Sequence, residues 1–244
     1  MAESAVEVSG LTSAYGRAVA LKDISFSLEK GKIHAIIGKS GCGKTTLLKN
    51  LLGLMPYRSG SVKVLGVEMS DGDAIVRQRV RERTGVLFQR GALLNSMNVG
   101  ENVALPLEMH TQQKPRDIEA EVRRKLSLVG LSHAISKRPT ELSGGMVKRA
   151  ALARAMALNP EILFCDEPSA GLDPVTTKGI DELLLSLKST FGMTVVIITH
   201  DLLSIKRIAD RLLLIREQVI AFDGSAAEAA SGRHPVLQEF FLKE

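Results

Sequence analysis

The run Gly38-Lys39-Ser40-Gly41-Cys42-Gly43-Lys44-Thr45, followed by Thr46, has the residue types and spacing of a phosphate cradle. Its glycines let the backbone curl so that successive N–H groups point inward, and the helix that must start at Lys44 adds a partial positive charge. Lys44 can reach the outer phosphates of a bound polyphosphate, and the Thr45 hydroxyl can ligate Mg2+. Cys42 stands at a variable position of the pattern and carries no assigned chemistry. A second run, Ile162-Leu163-Phe164-Cys165-Asp166-Glu167, sends four apolar residues into a buried strand and delivers two carboxylates at its end. Asp166 suits the coordination shell of Mg2+, and Glu167 suits the polarisation of an attacking water. A third run, Leu142-Ser143-Gly144-Gly145-Met146, opens another helix with a serine and two glycines. That makes a second helix start able to hold phosphate. One nucleotide needs a single cradle, so this start fits the nucleotide of another subunit.

These groups must be carried by strands and helices in alternation. Ile33–Ile37, Gly85–Phe88, Ile162–Cys165, Val195–Thr199 and Arg211–Ile215 read as strands, several of them apolar at every position, as a parallel sheet covered on both faces requires. Lys44–Leu52, Met146–Leu158, Val175–Leu187 and Leu202–Ile208 read as helices. The expected fold is α/β, a P-loop NTPase with a mostly parallel RecA-like core. Ala5–Leu11 and Ile24–Leu28 alternate apolar and polar around a turn at Gly16, which predicts an N-terminal antiparallel flap. From about Asn95 to Arg138 β-branched runs are missing and charges are dense, which predicts an inserted helical subdomain. The expected division is one nucleotide-binding domain over 1–244, its core and flap being 1–94 and 159–244 and its helical subdomain 95–158.

The 244 residues are 45% hydrophobic and 24% charged, which argues against wholesale disorder. Aromatics are 4% with no Trp, so Leu, Ile, Val and Ala must build the core. No apolar run reaches the length of a membrane span, and the first ten residues lack a signal-peptide pattern. The net charge of +5 is modest, and no basic–aromatic signature accompanies it, so nucleic acid is not an expected partner. Cys42 and Cys165 match neither a metal nor a disulfide framework, which fits a reduced interior.

Beyond the three runs, Tyr15, Gln89, Ala170-Gly171-Leu172-Asp173 and His200 stand in the same order as in ATP-binding-cassette (ABC) ATPases, which this chain resembles over nearly its whole length. The resemblance implies ATP and Mg2+ as cofactors and a head-to-tail pair of two copies. Tyr15 would then stack on adenine, Gln89 would reach the metal and the attacking water, Asp173 would lie in the loop that crosses the pair, and His200 would contact the γ-phosphate. Ser143, Gly144 and Gly145 would grip the partner's nucleotide. One departure stands out. The usual signature ends in Gln where this chain has Met146, and a thioether cannot donate a hydrogen bond across the interface as an amide does.

The stretch Gly91–Leu107, the sequence Leu142–Met146 with Lys148-Arg149-Ala150-Ala151-Leu152-Ala153-Arg154-Ala155 after it, and the tail His234–Phe241 are similar to the ATPases of bacterial Mla/Mce-type lipid transporters. That similarity implies phospholipid or other hydrophobic cargo, a separate integral-membrane permease, further periplasmic lipid-binding components, and a peripheral position on the cytoplasmic face of the inner membrane. Leu93, Leu94 and Met97 are expected to help line the groove for a permease helix. Amino-acid or metal import, or a non-transporting regulatory role at a cell-envelope machine, are the alternatives.

Overall fold

Alternating burial builds the first sheet of the computed structural model. In β1 (Ser4–Tyr15) and β2 (Ala18–Glu29), apolar residues such as Leu11, Leu21, Ile24 and Leu28 point inward and polar residues point out. The two strands pair antiparallel around the turn at Gly16, as their periodicity predicts. β3 (Ile33–Ile37) is buried at all five positions and runs into the phosphate loop and α1 (Lys44–Leu51). β4 (Ser59–Val64), β5 (Val67–Glu68), α2 (Ala74–Glu82), β6 (Thr84–Leu87), α3 (Val99–His110), α4 (Pro115–Leu128), α5 (Gly144–Ala155) and β7 (Ile162–Asp166) follow. The chain continues through α6 (Pro174–Phe191), β8 (Thr194–Ile198), α7 (Leu202–Ile208), β9 (Arg211–Arg216), β10 (Val219–Ser225), α8 (Ala226–Ala230) and α9 (Pro235–Leu242). The structure describes residues 3–70, 74–231 and 234–242; the extreme ends of the expected 1–244 domain lie outside them.

The strands form a four-stranded antiparallel sheet, β2-β1-β4-β5, and a six-stranded sheet, β10-β9-β3-β8-β7-β6. In the larger sheet the five strands from β9 to β6 are parallel and β10 is an antiparallel edge. Both faces are covered. Phe164, Val196, Ile198 and Leu213 pack toward α1 and the antiparallel sheet, while Leu163, Cys165, Val195 and Ile197 pack toward α5 and α6. This two-sided burial is why β7 and β8 read as continuous apolar runs. The carboxyl ends of β3, β8, β7 and β6 lie side by side, so the loops after them converge on one edge.

α3, α4 and α5 enclose their own cluster of Val99, Val103, Leu107, Val122, Leu126 and Ala153. Charges in this stretch are not all solvated. Lys125 is fully buried and donates to Asn159 Oδ1 at 2.7 Å, with Glu121 at 3.3 Å and the Phe191 ring centroid 5.4 Å away, so it ties α4 to the turn after α5 and to the end of α6. Element bounds differ from the sequence reading, most in β1 and β2, which run well beyond Ala5–Leu11 and Ile24–Leu28, and in α5 and α6. α5 starts at Gly144 rather than Met146, because the Ser143 hydroxyl accepts from the Met146 N–H, and it ends at Ala155. α6 runs from Pro174 to Phe191, beyond the expected Leu187, to the left-handed cap at Gly192.

The segment between β6 and α3 is held by the buried Asn102. Its Oδ1 accepts from the Leu94 N–H at 2.8 Å, and its Nδ2 donates to the carbonyls of Leu94 at 3.0 Å and Asn98 at 2.9 Å. Leu93 packs into the core behind this loop, while Leu94 is exposed. Replacing Asn102 by Ala strands these buried backbone groups. Asn102→Ala is expected to lower the unfolding free energy by about 2–3 kcal/mol in urea titration, whereas an exposed Ser96→Ala is expected to stay within about 0.5 kcal/mol of wild type.

Candidate functional site

The site begins where β3 stops. Gly43 is the N-cap of α1 with φ 108°, and a Cβ there would sit 2.6 Å from both Ala20 O and Leu21 Cδ2, so only glycine fits. No side chain caps α1, unlike α3, α5, α6 and α7, whose N-termini are closed by Asn98, Ser143, Asp173 and Asp201. The first-turn N–H groups of α1 are therefore left to a ligand. Lys44 folds back over the loop and donates from Nζ to Gly38 O at 2.5 Å and Lys39 O at 3.0 Å, which fixes the ammonium at the mouth of the cradle. Burial pushes the Cys42 thiol above its ordinary value, so it stays protonated beside Lys44.

The cleft in front of this loop has a volume of about 680 Å3. Of the residues singled out from sequence, it gathers Tyr15, Gly38, Ser40, Gly41, Gly43, Lys44, Thr45, Thr46, Gln89, Asp166, Glu167 and His200 in its wall. Tyr15 ends β1 at the rim, 52% exposed, with Lys49 Nζ 5.7 Å from its ring centroid. The exposed ring face suits stacking on a planar base.

Asp166 and Glu167 leave β7 in different ways. Burial, and then the neighbouring Glu167 charge, push Asp166 above its ordinary value, against the opposing pull of Lys44 and Lys148. Glu167 has φ 49°, a left-handed conformation that is strained for a residue with a Cβ. The turn aims its side chain toward the end of β8, where Oε1 meets His200 Nδ1 at 2.9 Å and Oε2 accepts from Thr199 Oγ1 at 3.3 Å. Among the described residues no three His, Cys, Asp or Glu side chains form a metal-binding group. The oxygens of Thr45 and Asp166, with Gln89 across the cleft, fit an Mg2+ ion that takes its remaining ligands from phosphate and water.

The other expected residues lie elsewhere. Lys39 and Cys42 belong to the loop but do not line the cleft. Ser143 and Gly144, at the exposed start of α5, are also outside it, as is Gly145. Gly145 lies against α6, where a Cβ would come within 2.6 Å of Thr176 Cγ2. Asp173 caps α6, accepting at 3.0 Å from the N–H groups of Val175 and Thr176, and these bonds together with the Thr176 hydroxyl hold its carboxyl below the ordinary value. The cleft and the start of α5 therefore lie at separate places on one chain.

Sequence reasoning missed two cations on α5. Lys148 and Arg154 were taken as part of a motif, yet both point into the chain and hold carbonyls around Gln89. Burial was the missing signal, since charge-rich helices are usually solvated. A second cleft, of about 340 Å3, lies between α2, α3 and α5 and is lined by Gln78, Glu82, Pro106, His110 and Arg154, not by Leu93, Leu94 or Met97.

In comparisons with known proteins, residues 21–170 match the family described as ABC transporter. A probable ribonucleotide transport ATP-binding protein of Mycobacterium leprae is 38% identical over 237 residues, 97% of this chain and 68% of that protein. A methionine import ATP-binding protein of Campylobacter jejuni is 38% identical over 251 residues, 96% of this chain and 75% of that protein. A solved dimeric ATP-binding cassette, in a post-hydrolysis state bound to ADP and Pi, superposes with a TM-score of 0.83 at 28% identity, covering 91% of this chain and 98% of that one.

Binding and turnover should separate by mutation. Lys44→Ala removes a charged donor and is expected to weaken ATP binding by about tenfold to a hundredfold in calorimetric titration. Glu167→Gln is expected to bind ATP as wild type does while turnover falls by about a hundredfold or more.

Proposed function

The chain belongs to the ABC transporter family, and from that premise we propose that it drives phospholipid, or another hydrophobic substrate, through a separate permease of a bacterial envelope. As an ABC cassette it binds and hydrolyses ATP. The observation that carries the mechanism is the division of the site. The cleft holds Lys44, Thr45, Gln89, Asp166, Glu167 and His200, while the exposed start of α5 at Ser143 faces away from it.

On this reading two copies meet head to tail, so that Ser143 and the amides of Gly144 and Gly145 from one copy close over the nucleotide seated in the other. The cassette solved as a dimer with ADP and Pi supports that pairing. Tyr15 holds the base, and the loop amides with Lys44 hold the phosphates. Thr45, Gln89 and Asp166 would hold Mg2+, which when bound neutralises charge on the β- and γ-phosphates. Glu167 polarises the attacking water, and His200 sits where it can hold both the Glu167 carboxylate and the γ-phosphate. Positioning and charge stabilisation lower the barrier, with no covalent intermediate.

No helix among the described residues is long and apolar enough to cross a membrane; on this reading a separate permease carries the transported molecule. The cleft between α2, α3 and α5 suits a cytoplasmic helix of that permease, since α2 and α3 also expose Ile75 and Met109 beside its polar wall. On this reading the chain sits peripherally on the cytoplasmic face of the inner membrane. Support for lipid cargo, with periplasmic lipid-binding components, comes from the Gly91–Leu107 stretch and from Met146 at the end of the signature.

The 38% identity to a methionine importer favours amino-acid import as a second reading. Reconstitution with the permease separates the two. ATP-dependent movement of a fluorescent phospholipid between vesicles is the expected result, abolished by Glu167→Gln. ATP-driven methionine uptake without lipid movement would overturn the lipid reading.

A further inference from the structure

We propose that Lys148 is a positioning residue for ATP hydrolysis, clamping the backbones of Gln89 and Glu167 to each other from the helix that presents Ser143. Lys148 lies on α5 and is only 5% exposed. Its Nζ donates to Gln89 O at 2.5 Å and to Glu167 O at 2.9 Å. An ammonium taken out of water is costly unless its donors are satisfied, so a buried lysine reaching two carbonyls, with no carboxylate bonded to it, calls for a reason.

The two carbonyls supply that reason. Glu167 is in the left-handed region, and apart from Lys148 its carbonyl accepts only a long bond from the Ala170 N–H at 3.2 Å. The ammonium therefore helps hold the backbone twist that aims the Glu167 carboxylate at His200. Gln89 follows β6 in an exposed loop, and after Arg90 both Gly91 and Ala92 have positive φ. Arg154, further along α5, donates to Gly91 O at 3.0 Å and Ala92 O at 2.7 Å. The Gln89 loop thus hangs from two cations of one helix, and Lys148 bridges it to the turn bearing Glu167.

The N-terminus of that helix is the start capped by Ser143. A nucleotide gripped there by α5 in the proposed pair would press on the same rigid element that sets Gln89 and Glu167 in its own chain. Lys148 would then relay closure at one nucleotide to the geometry around the other. This inference rests on the roles proposed for Gln89 and Glu167, and the experiment keeps the two apart.

Steady-state ATPase kinetics on the full chain test it. Lys148→Met keeps the apolar stem and removes both donors, and it is expected to lower kcat by about tenfold to a hundredfold with KM for ATP within about twofold of wild type. Lys148→Arg, which can again donate to both carbonyls, is expected to restore kcat to within a few fold of wild type. Wild-type kcat in Lys148→Met, a loss carried wholly by KM, or no recovery in Lys148→Arg at equal thermal stability would overturn the proposal. Should Lys148→Met fail to fold, Lys148→Leu, which likewise carries no donor, decides by the same criterion: lowered kcat at unchanged KM supports the clamp, and wild-type kcat overturns it. Glu167→Gln measured in parallel separates the readings. If it turns over normally, the assignment of Glu167 itself fails and the clamp with it. If it is inactive while Lys148→Met is normal, only the clamp fails.

Discussion

A triphosphate cannot leave water unless every oxygen it brings finds a donor or a cation, and one copy of this chain supplies them on one side only. The loop from β3 into α1 provides an uncapped helix start, a lysine fixed at its mouth and glycines without which the chain would collide with Ala20 and Leu21. The opposite side of the cleft is open, and the second set of donors, at the start of α5, faces elsewhere. In the proposed head-to-tail pair a nucleotide would be fully enclosed when two such surfaces meet, which would place catalysis under the control of assembly.

The sheet order serves that constraint. β3, β8, β7 and β6 are neighbours, so the phosphate loop, His200, the Asp166–Glu167 pair and Gln89 arrive at one edge from four parallel strands. Burial on both faces covers those strands, and left-handed non-glycine residues stand in the turns that follow β7 and β6, at Glu167 and Ala92. α5 links the two places: Ser143 caps its exposed first turn, and its Lys148 holds backbone groups at the cleft. Lys125 adds a buried tie from α4 to the turn after α5, so the three-helix cluster is not free of the core.

Much of this was legible in the residues. The core strands were legible because two-sided burial makes several of them, such as β7 and β8, almost wholly apolar, and the phosphate loop because its glycines and lysine stand between a strand and a helix. Alternation gave β1 and β2. Less legible were β4 and β5, short and half polar, and α2, whose arginines hide a single buried Val80. Helix starts were off where a side chain does the capping: Ser143 and Asp173 close α5 and α6 from outside, which periodicity of apolar residues does not reveal. Buried cations were the hardest. Lys125 and Lys148 sit among charged neighbours and differ from them only in the partners they reach after folding.

The shared site is tested most directly by mixing two inactive chains. Lys44→Ala spoils the cradle, and Ser143→Glu sets a negative charge where the other copy's phosphate should lie. In a pair made of one of each, one site carries both defects and the other carries neither. Equal mixtures are therefore expected to regain about a quarter of wild-type ATPase activity, the share set by random pairing with one intact site per mixed pair. A mixture no more active than either chain alone would contradict a site divided between two copies.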